Sequence, residues 1–222
     1  MSNALSTGKI IWLVAFSIAM GFLETAVVVY LRELYYPNGF NFPLVVLNGR
    51  IGAVEIFREA ATVIMLFGVG VLTGNNARQK FACFLIAFAV WDLFYYVFLK
   101  VILNWPESMF TWDILFLIPA PWVGPVLSPV IICFTMIALA IALLIRDKKM
   151  ATSEWVLLII GSLIVIISWM WDYIAYSGRV ADNPTDAMTI LSTYVPSHYN
   201  WLMFAAGELF LLAATWLYWK KR

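Results

Sequence analysis

Six apolar runs of about twenty residues constrain this chain more than any other feature. A helix rises about 1.5 Å per residue, so roughly 20 apolar residues match a hydrocarbon core about 30 Å thick. The runs fall near 10–31, 51–72, 81–103, 125–145, 155–176 and 199–218. In lipid the backbone must satisfy its own hydrogen bonds, which runs of this length do as helices. The sequence therefore predicts an all-α, polytopic integral membrane protein: one domain over residues 1–222, with six transmembrane helices in a single bundle. Composition agrees, since 64% of the residues are hydrophobic and only 12% charged, against about half and a quarter in an average soluble domain.

The first run follows Lys9 and resembles a signal peptide with a small-x-small end at Ala19 and Gly21. Its apolar character continues through Val29, so it reads as a retained first helix.

Orientation follows from the loops. Lys9, Arg78, Lys80, Arg146, Lys148, Lys149, Lys220, Lys221 and Arg222 all fall on one side of the predicted membrane. Arg32, Arg50, Lys100 and Arg179 fall on the other. The positive-inside rule then places both termini in the cytoplasm of a plasma or inner membrane. The outer connections at 37–50 and 177–197 are the long ones, the latter carrying Asp182, Pro184, Asp186 and Pro196. Function concentrates on elaborated loops and the scaffold beneath them.

The fourth span breaks the pattern. Residues 112–129 read WDILFLIPAPWVGPVLSP, with prolines at 119, 121, 125 and 129. Proline is tolerated in a first helical turn and breaks an interior, so the regular helix is expected to start near Pro125. The apolar stretch 114–123 is expected to form an outer lid or a re-entrant segment, because irregular backbone at depth needs protein or a cavity around it.

One remaining arginine lies inside a span. The second run reads VEIFREAATVIMLFGVGVL from Val54, and Glu55, Arg58, Glu59 and Thr62 share a face at three- and four-residue spacing. Ionisable residues within a span are costly, face the protein interior and are functional-site hypotheses by default. Other spans carry Glu24, Asp92, Asp172 and Glu208. Counted at about 1.5 Å per residue, all of these carboxyls fall in the outer half of the bilayer, roughly 5–14 Å from its edge. Six acids against Arg58 cannot all remain ionised in a dry interior. Protons, a bound cation or entering water must compensate, unless the group is a structural network that fixes helix packing.

The function classes narrow accordingly. Net charge is +1, which provides no basic footprint for nucleic acid. Cys83 and Cys133 sit inside apolar runs and read as small buried hydrophobes. There is no HExxH, no GxSxG and no P-loop. The histidine sets of haem and di-iron sites are excluded by a single histidine, His198.

The reading that remains is an outer-half site of carboxylates, arginine and tyrosines, performing acid–base chemistry on a lipid-like or small organic substrate. Glu59, Asp92 and Glu208 are the expected catalytic carboxyls. Glu24, Glu55, Arg58, Tyr95, Tyr96, Asp172, Tyr176 and His198 are the expected binding residues, since phenols donate to carboxylates and aromatic walls hold apolar or cationic ligands. Cation or proton transport, metal binding at the same cluster, and an accessory role in a larger membrane complex or homo-oligomer are the alternatives. The sequence names no cofactor and no metal, and membrane lipid is the one certain surrounding.

Overall fold

The computed structural model describes residues 5–45, 47–180, 190 and 192–221. Asp182, Pro184, Asp186 and Arg222 lie outside the described residues. Six helices are long and apolar enough to cross a membrane: α1 (Thr7–Tyr35), α2 (Gly49–Thr73), α3 (Ala77–Leu103), α4 (Leu127–Ile145), α5 (Thr152–Val180) and α6 (Trp201–Trp219). The chain is a multi-pass, all-α membrane bundle.

Polar caps set most of the starts. Ser6, Asn48, Asn76 and Asn200 each accept a backbone N–H from the first turn of the helix that follows, which satisfies one of its orphan donors. Asn104 ends α3 in the left-handed region at φ 52°, where asparagine is among the best tolerated residues. α4 begins at Leu127 with Pro129 inside its first turn, where a missing N–H costs nothing.

The stretch before α4, expected as an outer lid or re-entrant segment, has a regular form. It is a β-hairpin, β1 (Trp112–Phe116) paired antiparallel with β2 (Trp122–Pro125), with Asp113 opposite Gly124 and a register shift between Ile114 and Phe116. Pro125 ends β2, and Pro119 and Pro121 fall between the strands, positions that leave the short ladder intact. The hairpin is fastened from below. The Trp169 indole N–H donates to Ser128 Oγ at 2.8 Å, and Trp122 stacks on Trp169 with centroids 5.6 Å apart.

α3 is the hub, with α1 and α2 packed on one part of it and α4 on another; α6 packs on α4 and α5. Glycines permit the closest approaches. A Cβ on Gly70 would stand 2.8 Å from Phe84 N on α3, and one on Gly207 would stand 2.9 Å from Gly161 O on α5. Gly70 and Gly74, four residues apart, both bring their backbone this close to α3, Gly74 against Lys80 N. Large apolar side chains such as Trp12, Phe57 and Leu202 are more than 70% exposed, as a lipid-facing surface requires.

Candidate functional site

Because α1 and α2 both lean on α3 and touch each other sparsely, a space opens between the three at the hairpin end of the bundle. The hairpin and residues 36–45 and 47 cover it. The resulting cavity is about 830 Å³. Its walls are mostly apolar and aromatic, and its acidic and basic side chains come from α1 (Glu24, Arg32), α2 (Glu55, Arg58, Glu59), α3 (Asp92) and β1 (Asp113), with Thr62, Tyr95 and Tyr96 beside them.

Arg58 is fully committed. Its Nε and Nη2 donate to Glu55 Oε2 at 3.0 and 2.8 Å, one helical turn away, and its Nη1 donates to Glu24 Oε1 across the α1–α2 gap. Thr62 donates to the other oxygen of Glu24 at 3.3 Å. One guanidinium therefore ties α2 to α1 through Glu24, while Glu55 of its own helix holds it in place.

Glu59 and Asp92 are not in ion pairs with any described residue. Glu59 Oε2 accepts the Leu117 N–H at 2.9 Å, so α2 holds the turn of the hairpin. Asp92 Oδ2 accepts the Cys133 thiol at 3.2 Å, linking α3 to α4. A thiol is a weak donor.

A second ion pair closes the top. Arg32 Nη2 stands 3.6 Å from Asp113 Oδ1, and the Tyr96 hydroxyl donates to Asp113 Oδ2 at 3.2 Å. The guanidinium lies between aromatic faces, its Cζ 3.8 Å from the Trp105 centroid and 4.4 Å from that of Phe40, a cation–π arrangement. Burial pushes the Asp113 carboxyl up to about 6, against the pull of Arg32, the Tyr96 hydroxyl and the Ile114 N–H.

The structure thus brings Glu24, Glu55, Arg58, Glu59, Asp92, Tyr95 and Tyr96 to one cavity. It does not bring Glu208, Asp172, Tyr176 or His198 there. Glu208 is buried at the α4–α6 contact and accepts the Thr135 hydroxyl. Asp172 takes the Tyr194 hydroxyl at 2.8 Å and the Ser197 N–H at 3.1 Å, pinning the connection between α5 and α6. Burial, with Asp172 beside it, pushes the Tyr194 phenol up, which keeps it a donor. Tyr176 donates to Thr193 O at 3.0 Å in the same connection. His198 is exposed. Convergence of Glu208 with the other carboxyls is therefore corrected: α6 turns this residue toward α4.

Sequence reasoning missed Arg32 and Asp113. Arg32 continues the four-residue spacing Glu24, Val28, Arg32, which is a detectable signal once α1 is allowed to run to Tyr35. Asp113 reaches the site only through strand pairing, which no local pattern reports. Among the described residues, no three His, Cys, Asp or Glu side chains stand close enough together to hold a metal ion. No protein-family model, curated protein or solved structure matches this chain.

Proposed function

We propose that the protein binds a lipid-like or small organic molecule in the cavity between α1, α2 and α3 and exchanges protons with it through Glu59 and Asp92. The observation that carries this reading is one large, mainly apolar cavity in which five carboxyl groups meet two guanidinium groups. The arginines are occupied by Glu24, Glu55 and Asp113. That leaves Glu59 and Asp92, on different helices, without an ion pair among the described residues. Carboxyl groups in an apolar, water-poor site are suited to acid–base work. The apolar walls suit a hydrocarbon body, and the sparse contact between α1 and α2 provides a sideways route from lipid.

Transport along a through-path has less support. Towards the termini, Leu13, Leu66, Cys83 and Ile86 pack into a buried apolar core below the cavity. On the asymmetry of lysine and arginine, we also place both termini in the cytoplasm and the cavity in the outer leaflet of a plasma or inner membrane.

The test uses the full chain purified in mild detergent, with bound small molecules extracted and identified by mass spectrometry. The wild type should retain a molecule beyond bulk lipid. Glu59→Gln and Asp92→Asn should each lose most of it, or lose its conversion, at unchanged melting temperature, because each preserves shape while removing charge and proton exchange. Equal retention and equal conversion in both variants would overturn the proposal, as would a cavity that holds only bulk lipid.

A further inference from the structure

A second feature lies at the opposite end of the bundle, independent of the cavity. α4 and α6 end on the same side as the chain termini, and between them runs an open apolar groove of about 530 Å³ lined by Ala138, Ile141, Leu212, Thr215, Trp216 and Trp219. Two cations sit over its aromatic walls. Lys220 Nζ is 3.6 Å from the Trp216 centroid, and Arg146 Cζ is 5.3 Å from that of Trp219.

Neither cation is in an ion pair with a described residue. The nearby acids are spent elsewhere: Asp147 on Arg78 at 2.7 Å and Glu154 on Lys221 at 2.7 Å. Arg146 Nε is buried and has no acceptor among the described residues. A guanidinium offers a planar fork of donors suited to phosphate, and a buried donor with no acceptor is costly. The groove thus has hydrocarbon-compatible walls and two uncompensated charges at its rim.

We infer that the α4–α6 groove binds an anionic phospholipid of the leaflet that holds the termini, with an acyl chain along Ile141 and Leu212 and its phosphate at Arg146 and Lys220. Basic pockets between transmembrane helices hold such headgroups. The charge pattern also selects against a second copy of this chain. A two-fold contact through the same groove would face Arg146 and Lys220 with their own copies and supply no carboxylate between them.

The experiment adds phosphatidylglycerol or phosphatidylcholine to the full chain in detergent and counts retained lipids by native mass spectrometry. The wild type should retain phosphatidylglycerol preferentially. Lys220→Gln and Arg146→Gln should each lower that retention about five-fold, the value of one basic residue near a membrane surface, and leave phosphatidylcholine unaffected. Lys220 lies outside α6 and touches the groove through its side chain, so Lys220→Gln reads the site even if Arg146→Gln folds poorly. Lys148→Gln, an exposed charge off the groove, should have little effect. Equal retention of both lipids would overturn the inference. So would equal loss from Lys148→Gln, which would mean diffuse surface charge, or a dimer in place of the lipid-bound monomer. None of these outcomes touches the cavity, so failure here and failure of the acid–base reading are distinguishable.

Discussion

Replacing Arg58 by methionine tests the electrostatic logic of the cavity directly. The side chain is about 20% exposed, and its partners Glu55 and Glu24 are 7% and 12% exposed. Methionine fills much of the volume but strands both carboxylates. Removing one partner of a buried ion pair costs about 3–5 kcal/mol, because the remaining charge stays buried without compensation. For a chain of this size that corresponds to roughly 6–20 °C in melting midpoint. The informative comparison is the triple variant Arg58→Met, Glu24→Gln, Glu55→Gln. It removes all three charges, and the glutamine oxygen at position 24 still accepts from Thr62. If stranded charge is the cause, the triple variant should recover most of the loss, even though it carries more substitutions. The assay is fluorescence-detected thermal unfolding in detergent, with the double Glu24→Gln, Glu55→Gln variant as the reciprocal case that strands Arg58. A triple variant that melts no higher than Arg58→Met alone would refute the reasoning and show that packing by the arginine stem, not charge, holds α1 to α2.

Two further outcomes follow from the fold. Single cysteines introduced at positions 76 and 148 should be labelled from one side of the membrane and one at position 38 from the other; labelling of 38 and 76 from the same side would contradict the helix order. Gly207→Ala places a methyl 2.8 Å from Val165 Cγ2 and 2.9 Å from Gly161 O and should cost about 1–3 kcal/mol of stability by overpacking, whereas Gly8→Ala, with nothing within 4 Å, should leave the melting midpoint unchanged.

The helices were legible because their signal is local and strong. An apolar run of the right length announces a span wherever its neighbours lie, and the break at the prolines was equally plain. The hairpin was not legible, because its cause is non-local. Trp112 pairs with Pro125 across the loop, and the second strand is backed by Trp169, which stacks on Trp122 from a helix more than forty residues later. A stretch such as WDILFLIPAPW announces that a helix is impossible without saying what replaces it. Arg32 was hidden by a boundary. Counted as a loop residue it is a topogenic charge, but one more turn of α1 carries it onto the face of Glu24 and under the ring of Trp105.

Depth and direction are separate quantities, and residue counting supplies only the first. Counted along their spans, Glu59, Asp92 and Glu208 share a depth, yet α6 packs against α4 and α5 and directs Glu208 to Thr135. Glu208 also shows why an ill-served carboxyl does not by itself mark a site. Its Oε2 is buried with no partner among the described residues, whereas Asp92 has the Cys133 thiol. What separates them is access: Asp92 and Glu59 line a cavity of about 830 Å³, and Glu208 does not line it. A ligand arriving in that cavity can supply the missing compensation, by charge or by proton, to the first two and not to the third. The proposed proton exchange therefore rests on Glu59 and Asp92, which have no ion pair among the described residues and line a cavity with room for a molecule to supply one.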